Sequence, residues 1–257
     1  MEKRMIIISA AVVVLIMAIV MVVSAYGFGI SYGEPELLRI AIFGEVLTAI
    51  FLVWFIRRNS SFEAIGFSTL KIRGLVWYLP ILLIVLYQVV LVVNALVASY
   101  DNLSAATIQL VAIVFVTTLF VGFNEEVLFR GIILRNLHPE QHPYRAILIS
   151  AALFSSFHLI NLIALVPLTS MIVQLANTFL FGLFFALIAL KLNNLWPLII
   201  FHALWDFSNI AADVLNVDLA IPTLITQVFV AIAILVQLIL LKQHDLSHLK
   251  GPLTPNV

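Results

Sequence analysis

The chain contains no cysteine. That excludes disulfides, thiolate metal sites and cysteine nucleophiles. Charge is also scarce: 10% of the residues are Asp, Glu, Lys or Arg, against about 25% in an ordinary soluble domain. The 13 basic and 13 acidic residues cancel. No global basic surface is left for a polyanion, so no nucleic-acid partner is expected. Glycine and proline number only 10 and 9, and no low-complexity linker or internal repeat is visible. What fills the 257 residues is apolar surface: 63% are hydrophobic and the mean hydropathy is +1.17. The expectation is an all-α, polytopic membrane protein with about eight transmembrane helices, forming a single membrane domain over 1–257.

The first apolar run follows a short basic head, MEKR, and is roughly 20 residues long, enough to span a bilayer. A cleaved signal peptide is the rival reading. The run is long for an apolar signal core, which favours a retained helix. Further spans are expected at about Leu37 to Ile56, Leu75 to Val97, Ala106 to Leu137, Tyr144 to Leu162, Val166 to Leu192, Pro197 to Leu215 and Ile221 to Leu241. Asn59 to Gly74 reads as a polar connection, with a short surface helix as one form it can take. The prolines of HPEQHPYR end the fourth helix. Pro197 falls in the first turn of the seventh, where a missing N–H costs nothing. Residues 242–257 form a polar tail.

Eight spans put both termini on one side. Lys3, Arg4, Arg57, Arg58, Lys71, Arg73, Arg135, Arg145, Lys191, Lys242 and Lys250 all fall on that side, with Arg130 toward it and only Arg39 opposite. Asp101, Asp213 and Asp218 fall on the other. The excess of Lys and Arg makes the first side, and hence both the N and C termini, cytoplasmic.

Few strongly polar residues remain at membrane depth: Glu45, Glu125, Glu126, Arg130, His158, His202 and Asp206, with Asn94, Asn124, Gln174 and Asn177 as neutral additions. Such groups are costly in lipid and usually functional. Glu126 and Arg130 are four apart with the acid first, the favourable order on a helix. Arg130 is therefore expected to neutralise and orient Glu126. Glu125 lies about 100° further round the helix, so it points elsewhere and is free for general-base work. His202 and Asp206 share a face of the seventh helix, where Asp206 can hold the imidazole in one tautomer or bond to substrate. His158 stands alone on the fifth. By helical rise, Glu125 lies roughly 18 Å and His158 roughly 20 Å from the cytoplasmic ends of their helices, but His202 only roughly 11 Å. The seventh helix must then begin below the membrane surface, or the helices must tilt.

Each feature has a plain structural alternative: an ion pair, a packing histidine, a buried acid satisfying a neighbour. Glu45 in particular reads as a structural or gating group. Two Glu, two His and an Asp on three helices, however, call for a common explanation, and a hydrated cavity supplies one.

At these residues the chain resembles the CAAX protease and bacteriocin-processing (CPBP, or Abi) family of intramembrane proteases. The pattern EExxxR, FxxxH, HxxxN/D appears as Glu125-Glu126 to Arg130, Phe154 to His158, and His202 to Asp206. The motif-bearing core spans 106–210. The resemblance implies an intramembrane endopeptidase acting on a hydrophobic or lipid-anchored peptide or protein, with membrane lipid around it. Carried over, Glu125 would activate the attacking water and His158 assist. His202 and Asp206 would stabilise the oxyanion or orient the water, and Glu126 and Arg130 would support the site. Members are often called metalloproteases. Zinc is one possible cofactor, with Glu125, His158 and His202 as its ligands, although no HExxH pair occurs and a metal-free, glutamate-driven mechanism is preferred. The alternative is a non-catalytic bacteriocin-immunity or peptide-binding membrane protein. A proton-coupled transporter ranks last, because no repeat symmetry is present. The absence of organelle-targeting signals points to a bacterial plasma membrane and a processed peptide precursor as substrate.

Overall fold

In lipid every backbone N–H must find its partner within the chain, so an apolar sequence of this kind folds as helices. The computed structural model describes residues 1–240; the polar tail and the basic residues Lys242 and Lys250 lie outside the described residues. Among the described residues, eight helices are long and apolar enough to cross a membrane: α1 Lys3–Gly27, α2 Pro35–Asn59, α3 Leu75–Asn102, α4 Ala105–Asn136, α5 Pro143–Ala164, α6 Leu168–Leu192, α7 Trp196–Leu215 and α8 Ala220–Leu240. The protein is an integral membrane protein. Its outer faces carry exposed apolar side chains, among them Phe43, Trp54, Leu83, Ile172 and Ile239, as a lipid-facing surface requires.

α4 and α7 form the centre, and α2 and α3 flank them. α5 packs along α6. Gly122 sets the distance between the central pair: a Cβ there would lie 2.8 Å from the Ile199 carbonyl oxygen and 3.0 Å from the Ala203 nitrogen. Gly182 does the same for α6 against Ala151 of α5. At the far end of α2 and α4, Arg39 donates to Gln109 Oε1 at 3.3 Å and to the Ala106 carbonyl at 3.1 Å.

Three local features differ from the regular helices expected. α4 is not uniformly α-helical: Glu126–Ile133 winds as a π-helix. This wider turn lets one residue more into each loop of the helix, a device common at functional sites. α5 tightens to a 3-10 helix at His158–Ala164 and ends on Leu165 in the left-handed region, φ 64°. The α2–α3 connection is a chain of turns with only a short 3-10 stretch at Ile72–Gly74, not a surface helix. It covers the α6–α7 turn. Phe67 bridges to Asn194, Leu195 N–H donates to the Gly66 carbonyl, and Asn194 Nδ2 donates to the Ser68 carbonyl at 2.6 Å.

Candidate functional site

Where α4 passes from α-helix into its π-helical stretch, two adjacent carboxylates, Glu125 and Glu126, face α7. Glu126 is fully buried, and its Oε1 accepts from Arg130 Nη1 at 3.0 Å. The same oxygen accepts from Nδ1 of His202 at 2.9 Å. A carboxylate can only accept, so this contact fixes a proton on Nδ1. The opposite ring nitrogen, Nε2, faces Glu125 Oε2 at 3.6 Å and Asp206 Oδ2 at 3.5 Å. Glu125 and Glu126 have different surroundings, one on the cavity wall and the other behind it with Arg130, and both address one imidazole from opposite sides. One sequence expectation changes here. Glu126, not Asp206, makes the short contact that sets the ring.

Arg130 is wholly buried. Its guanidinium lies 4.0 Å from the centroid of Phe154 and 5.3 Å from that of Phe185. Ring faces carry negative potential, so they complement the charge that Glu126 neutralises on one side. Phe154, the first residue of FSSFH, thus serves both neighbours. Its ring covers Arg130, and its carbonyl accepts from His158 Nδ1 at 2.9 Å. A carbonyl cannot donate, so in neutral His158 the lone pair is left on Nε2.

Glu125, His158, His202 and Asp206 line one cavity of about 440 Å³. Glu126 and Arg130 do not line it and stand behind it. The structure also brings in residues of no recognised motif. Glu45 of α2 reaches the same cavity, where Asn124 Nδ2 donates to its Oε2 at 2.6 Å and to its carbonyl at 2.8 Å. Across the cavity, Asn161 donates to Gln174 at 3.2 Å, and Gln174 donates to the Tyr32 hydroxyl at 2.5 Å. Asn177 and Asn209 complete a wall of carboxamides. Asn209 carried a readable signal, since it lies two helical turns from His202 on the same side of α7. Tyr32 carried none, because it belongs to the loop between α1 and α2. Asn94 does not line the cavity.

Among the described residues no three His, Asp or Glu side chains are gathered closely enough to hold a metal ion as they stand. Nδ1 of both His158 and His202 is bonded to an oxygen acceptor, which leaves Nε2 of each as the atom that would ligate zinc, with Glu125 on the same cavity wall.

A family model described as "Type II CAAX prenyl endopeptidase Rce1-like" matches residues 106–208. No curated protein and no solved structure matches the chain.

Proposed function

We propose that this chain, whose residues 106–208 match the family model of Rce1-like type II CAAX prenyl endopeptidases, hydrolyses a peptide bond of a hydrophobic or lipid-anchored substrate with a water activated by Glu125. One observation carries the proposal. Glu125 and His158 open onto a single membrane cavity, and neither has its available acceptor atom consumed by a protein donor: Glu125 Oε2 has no hydrogen-bond partner among the described residues, and His158 is held through Nδ1 alone.

Two acceptors facing one water orient its two protons and aim its lone pair at a substrate carbonyl. Glu125 takes the proton as the water oxygen bonds to the carbonyl carbon. With its first proton held on Nδ1 by Glu126, His202 donates to the developing oxyanion through Nε2 as the doubly protonated ring, a form that its flanking carboxylates favour. Glu126 holds His202 by Nδ1, so Nε2 keeps its aim. Glu125 then returns the proton to the amide nitrogen as the C–N bond breaks, giving a carboxylic acid and an amine. Asp206 supports the His202 imidazole on the Nε2 side. Arg130 acts only through Glu126. The basic ends of the helices face the cytoplasm of a bacterial plasma membrane.

The test is peptide-product mass spectrometry on membranes holding wild type, Glu125→Gln or His158→Ala, each with and without a chelator. Loss of the same products in both variants, with the proteins still folded, supports the proposal. Unchanged products in both variants refute it, and intact protective function in those variants would identify a peptide-binding immunity protein instead. Loss of products from wild type on chelation would restore zinc to the mechanism.

A further inference from the structure

Ser150 is fully buried on α5, and its hydroxyl donates to the carbonyl of Phe129 at 3.0 Å. That carbonyl lies inside the π-helical stretch of α4 and already accepts from the Leu134 N–H, five residues on. A carbonyl oxygen has two lone pairs, so both bonds stand together. In an α-helix the same oxygen would turn to the N–H four residues on. A donor fixed on another helix holds it in the wider turn instead. π-helical turns are rare, so this second donor from outside the helix is a specific support.

Ser150, Phe154 and His158 are spaced by four and share one face of α5. The two later residues serve the site: the Phe154 ring covers Arg130, and the Phe154 carbonyl holds His158 Nδ1. The rest of the contact at this level is ring on ring, Phe129 with Phe154 and Phe157 at centroid distances of 5.3 and 5.5 Å. Apolar contact is non-directional and tolerates a slip along the helix axes. A hydrogen bond weakens steeply off its line, so Ser150 sets the height of α5 against α4. By helical rise, His158 stands about 12 Å and Glu125 about 6 Å beyond this bond, measured away from the α4–α5 connection. Consecutive spans run in opposite directions, and side chains lean toward the N-terminus of their own helix. Glu125 thus leans away from that connection and His158 toward it, which closes the difference and brings both to one level.

Resting on the endopeptidase reading above, we infer that Ser150 is a positioning residue for the hydrolysis: its bond to the Phe129 carbonyl fixes the π-helical stretch and the height of α5 together, and so holds His158 across from Glu125. Ser150 does not line the cavity and acts only through the two helices. A displacement of about 1 Å between the groups that hold a reacting water can cost about a hundredfold in rate. Substrate still binds the unchanged wall, so the effect falls on kcat and not on KM.

The experiment uses the full chain in detergent with a panel of apolar peptides, below the unfolding midpoint of each variant. Ser150→Ala is expected to lower kcat about tenfold or more with KM little changed. Ser155→Ala is the control. On the same helix it gives up a bond of the same kind, to the Leu175 carbonyl of α6 at 2.8 Å, and it is expected to lower the unfolding midpoint by a similar amount while keeping kcat. Ser150→Thr and Ser150→Val add similar bulk, but only threonine keeps the hydroxyl, so the threonine variant is expected to retain a several-fold higher kcat. That pair decides the matter alone if the alanine variant does not fold. Unchanged kcat in Ser150→Ala, an equal fall in Ser155→Ala, or equal rates for the threonine and valine variants overturns the inference and leaves the hydrolysis standing. A wild type that cuts none of the peptides overturns both.

Discussion

His202 donates through Nδ1 to Glu126 Oε1 at 2.9 Å, and that oxygen is also the one that holds Arg130. A single buried atom therefore joins α7 to the cation of α4. Removing it leaves Arg130 uncompensated, since Nε and Nη2 have no other hydrogen-bond partner among the described residues. Breaking a buried pair from one side costs about 3–5 kcal/mol. Glu126→Leu, which removes both the oxygen and its charge, is expected to lower the unfolding midpoint sharply in detergent. Glu125→Gln gives up only the longer 3.6 Å contact with His202. It should unfold close to wild type and lose cleavage by about a hundred- to ten-thousandfold, the range for a general base. Thermal unfolding and cleavage of the two variants side by side separate the brace from the base.

The contact between Glu126 and His202 depends on a glycine that carries no chemistry. A methyl at Gly122 would press on the Ile199 carbonyl and the Ala203 nitrogen, both backbone and unable to turn away. Overpacking of this kind costs about 1–3 kcal/mol. Gly122→Ala is expected to push α7 from α4 and lower kcat more than tenfold with KM little changed. A distance probe between labels on α4 and α7 should lengthen in parallel.

The spans were legible in the sequence because lipid leaves an apolar chain so few options. The brace was legible too: Glu126 and Arg130 are neighbours on one helix, and spacing alone brings them together. The clamp on His202 was not. It joins two helices whose separation rests on Gly122, and nothing in FHALWDF says which acid will reach the ring first. The π-helical turn at Glu126–Ile133 was equally hidden, since a wider turn carries no composition of its own. Glu45 was visible as a charge at depth. Its tie to Asn124 was not, because that bond spans α2 and α4.

The Tyr32 hydroxyl lies outside the spans, in the loop that closes the cavity, and its state can be followed directly. Burial pushes the phenol from 10.0 up to about 12, against the pull of the Gln174 amide. The folded protein therefore keeps a proton that the unfolded chain releases. By linkage, this contribution is fully present below pH 10.0, declines as pH rises above it, and is lost by about pH 12. Tyr32→Phe is expected to flatten that part of the stability profile. Below pH 10.0 it should lose only the bond from Gln174, about 0.5–1.5 kcal/mol. Denaturation of both proteins in detergent across this range provides the measurement.

Asn124 precedes Glu125, yet its amide is spent on Glu45, with bonds of 2.6 and 2.8 Å to the side chain and main chain. Both residues are buried, and no Lys or Arg is among their hydrogen-bond partners. Asn124→Ala removes the donor and leaves the Glu45 oxygens unmatched, at a cost of about 1–3 kcal/mol. Removing the carboxylate as well takes away the orphaned group, so Glu45→Leu combined with Asn124→Ala should recover part of the loss. Additivity of the two single changes would mean the pair is uncoupled; a double variant more stable than the sum predicts is the expected outcome. Cleavage measured on the same proteins tells whether the pair also holds Glu125. If it does, Asn124→Ala lowers kcat beyond what its stability loss explains, and Asn124→Gln, with a longer reach to Glu45, restores stability without restoring rate.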